Sequence, residues 1–265
     1  MTYRLTILGC GSSGGVPRIG NNWGNCDPQN PKNRRLRCSA LVERRGRGGT
    51  TGVLIDTSPD LRAQILASGI MSLDGVLYTH DHADHTHGID DLRMVAFQQS
   101  HRVHVYFDAA TGKSLTERFA YCFKTPPGSA YKPILIGHEI DRETAISITG
   151  AGGVITALPV IQRHGDIDSL GFRISGLAYC PDVSDIPERS AALLENLEVL
   201  VIDALRSTPH ESHFSVKQAL EWVARLKPKR TILTHMTGEL DYETLRRKLP
   251  DGVEPAFDNM QVTFE

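Results

Sequence analysis

The chain has 265 residues, 40% hydrophobic and 23% charged, an ordinary globular composition long enough to bury a sizeable core without staples. Its 29 basic and 31 acidic side chains leave a formal net charge of -2, which excludes the broadly basic surface of a general nucleic-acid binder but not a local basic site. No apolar run approaches the ~18 residues of a membrane span, no secretory h-region opens the chain, and five scattered cysteines make no disulfide framework, so a cytoplasmic protein folding as one domain over 1–265 is expected.

Tyr3–Gly9 reads as a first strand, followed by a long Gly-, Pro- and Asn-rich loop to about Arg37. Leu41-Val42 and Val53–Ile55 read as a hairpin across the polar Arg44–Thr51 stretch. Ser58-Pro59 and Gly69 bracket an expected helix with Leu61, Ile65 and Leu66 on one side. Gly75–Tyr78 is a short strand, 90–99 a helix, Val103–Phe107 a strand and Ser114–Phe123 a helix. The second half is richer in strands: Ile134–Ile136, Ala145–Ile148, Val154–Val160, Leu170–Ile174, Leu177–Cys180, Val199–Asp203 and Thr231–Thr234. A helix is expected over Ser212–Leu226, with Val216, Leu220 and Val223 at helical spacing. Two strand-rich groups with helices in both halves, and no linker between them, favour two sheets between outer helices over a single mixed sheet.

The chemistry concentrates in Thr79–Gly88. His80, His82, Asp84 and His85 place three imidazoles and a carboxylate within six residues, just after a short apolar strand. Imidazole and carboxylate are ligands for zinc, manganese and iron. One ion rarely takes four ligands from so short a segment; two neighbouring ions drawing on further residues fit better. His164, Asp182 and His235 each follow an apolar strand, where loops gather on one face of a layered α/β domain, and are the expected additional ligands.

The run His80-x-His82-x-Asp84-His85 resembles the signature of the metallo-β-lactamase superfamily. The resemblance continues through Asp56, His164, Asp182 and His235 and so covers nearly the whole chain. It implies a four-layer αββα sandwich, an α/β fold of two mixed sheets between outer helices, with a dinuclear site of zinc or manganese. His80, His82 and His164 would hold the first ion; Asp84, His85 and His235 the second; Asp182 would bridge them; and Asp56 would orient the metal loop. His87 matches no ligand position.

Leu8–Pro17 resembles the opening of the tRNase Z-like group. Asn33–Ser39 and the late His213 look most like the cyclic-phosphate phosphodiesterases of the carbon–phosphorus lyase pathway. That resemblance implies His213 as proton donor to the leaving group and substrate binder, with Asp84 also part of the catalytic centre. Arg34, Arg35 and Arg37 either clamp a phosphate or belong to a solvated face. Cys26 and Cys38 lack the tight pairing of a cysteine cluster and read as ordinary thiols. Gly9-Cys-Gly11-Ser-Ser-Gly14 matches a dinucleotide fingerprint only in letters, because Gly15, Pro17 and Gly20 forbid the helix such a site needs.

The expectation is a hydrolase of a small cyclic or linear ribosyl or nucleotide phosphodiester, in which two divalent ions share a hydroxide. Its expected ligands are that diester or a nucleoside monophosphate, without long nucleic acid and with a homodimer as the favoured assembly. A metal-dependent thioesterase or lactonase, a tRNase Z-like RNA 3′-processing nuclease and a non-catalytic nucleotide sensor are the alternatives.

Overall fold

The structure, a computed structural model, describes residues 2–265. The chain first lays down β1 (Tyr3–Gly9), β2 (Ser39–Gly46), β3 (Gly49–Ile55), β4 (Gly75–Leu77), β5 (Val103–Phe107) and β6 (Leu135–Glu139). It then builds β7 (Ile146–Gly150), β8 (Gly153–His164), β9 (Ile167–Ile174), β10 (Leu177–Cys180), β11 (Val199–Asp203), β12 (Arg230–Thr234) and β13 (Val253–Pro255). The last strand, β14 (Met260–Phe264), returns to the first sheet and pairs antiparallel with β1, Tyr3 opposite Phe264.

Two seven-stranded sheets result, in the orders β14-β1-β2-β3-β4-β5-β6 and β13-β12-β11-β10-β9-β8-β7. In the first sheet the β14-to-β3 side is antiparallel and the β3-to-β6 side parallel. The second has the same division, antiparallel from β7 to β10 and parallel from β10 to β13. Both sheets are therefore mixed.

The alternating strands of a two-sided sheet place one apolar set inside and one outside. Leu5, Ile7, Val42, Val53 and Ile55 meet Ile155, Val160, Phe172, Tyr179 and Val201 in one core between the sheets. On its other face the first sheet packs Leu54, Val76 and Val105 against Leu61, Leu92, Val95 and Leu115. These come from α1 (Leu61–Ser68), which precedes α2 (Ala83–Thr86), and from α3 (Leu92–Gln99) and α4 (Ala109–Arg118), followed by α5 (Ala120–Phe123). Over the second sheet lie α6 (Glu188–Ala191), α7 (Val216–Leu226) and α8 (Tyr242–Arg246), which contribute Ala191, Leu220, Val223 and Leu245 to the core. The layers are the αββα sandwich.

Several elements differ from the sequence reading. The β2–β3 ladder runs through the polar stretch to Gly46 opposite Gly49, since exposed polar side chains do not prevent backbone pairing. α1 begins at Leu61 rather than at Pro59, because Ser58 Oγ accepts from the Asp60 amide in a tight turn and the Asp60 carboxylate is bound to Arg37. Leu66 is exposed, so the buried face of α1 is Leu61 and Gln64. The helix expected over Ser114–Phe123 is two, broken at Phe119. The helix expected from Ser212 starts at Val216, where Ser215 and Gln218 form a capping box, so His213 precedes the helix instead of lying in it.

Among the described residues no helix is long and apolar enough to cross a membrane.

Candidate metal centre

The ligand-type residues leave the ends of β4, β8, β10, β11 and β12 and converge at one rim of the sandwich. Residues 80–88 pass from β4 through a turn into α2, and the backbone around them is bound from both sides. The Thr57 amide donates to the His85 carbonyl at 2.8 Å, the Gly88 amide to Thr57 at 3.0 Å, and the Leu170 amide of β9 to Thr79 at 2.8 Å. Gly88 is required by contact: a Cβ there would lie 2.0 Å from the Ser58 carbonyl oxygen and 2.8 Å from Leu61 Cβ. Asp56 and His235 both adopt left-handed φ, 62° and 58°, a strain that concentrates at functional sites.

Seven residues face one another in two groups. His80, His82 and His164 form the first; Asp84, His85, Asp182 and His235 form the second. Asp182 lies between them. Its Oδ1 is 3.0 Å from His85 Nε2, and its Oδ2 is 3.4 Å from His235 Nε2, 3.8 Å from His164 Nε2 and 3.9 Å from His80 Nε2. Asp84 Oδ2 is 3.5 Å from the Nε2 atoms of both His85 and His235.

Surrounding groups set the tautomers. His85 Nδ1–H donates to Asp56 Oδ2 at 2.7 Å and His164 Nδ1–H to the Ser212 carbonyl at 2.7 Å, which turns both Nε2 lone pairs inward. Asp56 is held in turn by the Thr79 amide and hydroxyl, both at 2.8 Å. His80 Nε2, His85 Nε2 and Asp182 Oδ1 are buried with no hydrogen-bond partner.

That pattern is one a cation satisfies. Burial drives the carboxyl of Asp56 up and the imidazole of His80 well below its usual value. Burial also disfavours charge on His85, yet the carboxylates of Asp182, Asp84 and Asp56 raise its pKa well above normal. Burial opposes ionisation of Asp182 as well, but His235 and His85 pull it well below the carboxylate range. Inward lone pairs, unpartnered donor atoms and two carboxylates turned toward the same imidazoles together fit divalent cations bound to nitrogen and oxygen.

Next to the second group, His213 Nδ1–H donates to Asp203 Oδ2 at 2.7 Å. Its ring stacks on His235 at 4.7 Å and lies 4.6 Å from His164. Burial lowers its pKa, against the raising effect of Asp182 and Asp84. Asp203 was not singled out from sequence, although it ends an apolar strand in the same way as the residues that were. A polar cavity of about 470 Å³ opens beside His213 and His235, walled by the loop after β1 and by residues around Arg206 and Glu239.

The three candidate phosphate-binding arginines are not in this cavity. Arg35 is buried and structural: it donates to the carbonyls of Thr237 at 2.9 Å and Leu240 at 2.6 Å, which fixes the segment after His235. Arg37 is spent on a bidentate pair with Asp60. Arg34 lies over the Trp23 ring, 5.1 Å from its centroid. The cavity's arginines are Arg18 and Arg206 instead.

His87 is exposed, its ring edge toward Phe119, and His210 lies at the cavity beside His213. His101 is exposed, and His104 and His138 pair with each other at 2.8 Å. All five cysteines are buried free thiols; Cys26 accepts from Arg35 and Cys38 touches Thr234.

This fold and this convergence of His and Asp define a class, and comparison with known proteins agrees: residues 51–236 match the β-lactamase superfamily domain, and the chain belongs to that superfamily, with its metallo-β-lactamase fold. Within it, the chain is similar to a structurally characterised diphosphatase from the PhnP family, at 36% identity and TM-score 0.89, over 100% of this chain and 98% of that one. It is also 30% identical, over 99% of its length, to an octanoyltransferase of Porphyromonas gingivalis. The chain spans 52% of that curated relative, about half its length. The short form of human tRNase Z shares the fold, at 17% identity and TM-score 0.60 over 98% of each chain.

Proposed function

We propose that the chain is a dinuclear metal-dependent phosphodiesterase that hydrolyses a small cyclic or linear ribosyl or nucleotide phosphodiester. The observation that carries this reading is the His213–Asp203 pair, set between the seven-ligand centre and a polar cavity. His80, His82 and His164 would hold one ion, Asp84, His85 and His235 the other, with Asp182 shared; zinc and manganese both suit these donors. Bound there, such ions supply Lewis acidity to a phosphoryl oxygen and lower the pKa of water.

The protein's own part is orientation and proton transfer. Asp56 and the Ser212 carbonyl keep His85 and His164 in the tautomer that points Nε2 inward. Asp203 accepts a hydrogen bond from His213 Nδ1–H, which orients the ring so that Nε2–H can supply the proton needed by the departing oxygen.

A second reading, hydrolysis of a diphosphate, is favoured by the description of the 36%-identical relative. An acyl substrate fits less well. The cavity wall carries Ser12, Ser13, Arg18, Asn22 and Asn25, and offers no apolar channel for an octanoyl chain. Because the chain spans only about half of the curated relative, that relative's name carries no argument for an acyl substrate here.

One variant separates these readings. His213→Ala should retain metal and lose about 10²–10⁴-fold in turnover of a ribosyl phosphodiester, whose alkoxide needs a proton. It should spare a nitrophenyl phosphodiester, whose leaving group does not. Equal losses on the two esters would refute the acid role. A diphosphate cleaved faster than any diester by the native enzyme, and little affected in the variant, would establish the second reading. Preference for a thioester reporter, or for folded RNA, would remove both.

A further inference from the structure

We propose that Arg118 of α4, acting with Ser114, is a positioning residue for the first ligand group: it holds the peptide between Asp81 and His82 so that His82 Nδ1 faces the centre. The inference rests on the metal-centre reading of that group, but its own evidence lies on the outer side of the metal loop.

Three imidazoles of the centre are oriented through the ring. His80 Nδ1 meets Thr79 Oγ1 at 2.9 Å, His85 Nδ1–H donates to Asp56, and His164 Nδ1–H donates to the Ser212 carbonyl. His82 differs from these. Its Nδ1 lies 3.2 Å from His164 Nε2 and is therefore the inward atom. Its Nε2 has no partner among the described residues, and the side chain is exposed. With no outer partner to fix the ring, its direction depends on the backbone that carries it.

That backbone is gripped on both sides. After the ring, Thr86 Oγ1–H donates to the His82 carbonyl at 2.8 Å and the His85 amide donates to it at 3.1 Å. Before it, Arg118 Nη2 donates to the Asp81 carbonyl, the oxygen of the peptide that leads into His82, at 2.5 Å. The same nitrogen reaches Ser114 Oγ at 2.6 Å and Asp81 Oδ2 at 3.1 Å, and Ser114 Oγ–H donates to Asp81 Oδ2 at 2.6 Å. Asp81, between two inward histidines, thus turns its carboxylate outward onto α4. Ser114 and Arg118 stand four residues apart and share one face of that helix. The helix itself is fixed. Asp108 caps it through the Thr111 amide at 2.9 Å, Leu115 is buried, and a Cβ on Gly112 would fall 2.4 Å from the Phe107 ring. A fixed helix therefore grips a ligand that no ring partner orients.

Zinc titration of the metal-free protein tests this, with the ring resonances of His82 reporting the first ion and those of His235 the second. Arg118→Ala should weaken the first ion about tenfold or more and leave the second within about twofold. The melting temperature of the metal-free protein should stay native. Arg118→Lys, which can still reach the carbonyl, should restore part of the loss; Asp81→Asn, which keeps that carbonyl, should cost less than Arg118→Ala. In the metal-free protein the rings of His82 and His164, with centroids 5.0 Å apart, should show a nuclear Overhauser contact that Arg118→Ala loses. Native affinity for the first ion in Arg118→Ala, or a retained Overhauser contact, overturns the proposal. So does an equal loss at both ions with a lowered melting temperature, which marks general destabilisation. If the native protein takes up no zinc, the metal-centre reading fails instead, and the Overhauser contact still decides the role of Arg118.

Discussion

Asp182 has a position that no single neighbour explains. It is buried at the end of β10, and its two oxygens face imidazoles from both ligand groups. If it joins two ions, Asp182→Ala should lower turnover by at least about 10²-fold and halve the bound metal, while far-ultraviolet circular dichroism stays native. Metal analysis giving two ions per chain in the variant would show that another residue makes the bridge. The convergence of Asp182, His164 and His235 on the metal loop was legible because ligand chemistry permits few residue types, and each stands at or just beyond the end of an apolar strand. The arginines were not legible. Arg35 and Arg18 have the same side chain, but one is sealed under the 237–240 segment and the other stands over a cavity. That distinction arises only when residues some 200 positions apart are brought together.

At the scale of elements, the metal loop and the long N-terminal loop are held by polar clasps rather than by regular structure. The second clasp is Asp241, the N-cap of α8. Its carboxylate accepts the Thr244 amide at 2.9 Å, the Asn33 side chain at 2.7 Å and the Asp27 amide at 3.3 Å. Partial burial pushes its carboxyl up, but these bonds outweigh that and hold the pKa at about 2. Its folded pKa is thus depressed, so its stabilisation is present above the ordinary carboxylate pKa and is lost as pH falls toward 2. Asp241→Ala should cost about 1 kcal/mol at neutral pH, with the difference from the native protein vanishing in acid. Urea titrations at several pH values measure this; a difference independent of pH would mean that the charge is irrelevant to the clasp. The periodic elements were legible from their apolar spacing, whereas their ends were not. Ser58-Pro59 reads as the start of α1, yet the helix begins at Leu61, and the intervening Asp60 pairs with Arg37 from 23 residues earlier.

In the whole molecule, the seven candidate ligands are divided between the halves. His80, His82, Asp84 and His85 follow a strand of the first sheet; His164 ends a strand of the second, and Asp182 and His235 follow strands of the second. Bound cations would therefore tie sheet to sheet across the shared core, and binding would be possible only in the folded chain. Zinc or manganese at about 100 times its dissociation constant should raise the melting temperature by roughly 5–10 °C, in one transition, and chelation should reverse the rise. Differential scanning calorimetry checks this. Two separate transitions, with only one responding to metal, would mean that the ions engage one sheet alone.

The pairing of β14 with β1 sets the first and last strands of the fold side by side. Tyr3 and Phe264 are direct cross-strand neighbours, so their Cα atoms are about 5 Å apart. The order in which the chain is read is then arbitrary with respect to the architecture. A short linker joining these ends, with a new opening between the exposed Glu143 and Thr144, gives a circular permutant in which β7 to β13 come first and β14 then leads directly into β1 to β6. The native chain passes between the sheets twice, out after β6 and back before β14. The permutant would pass between them once and complete each sheet in a single run. Every strand pair would be kept and all seven ligand positions left in place, while the average separation in sequence between paired strands changes. Ligand geometry and folding order, inseparable in the native chain, would thereby become independent variables.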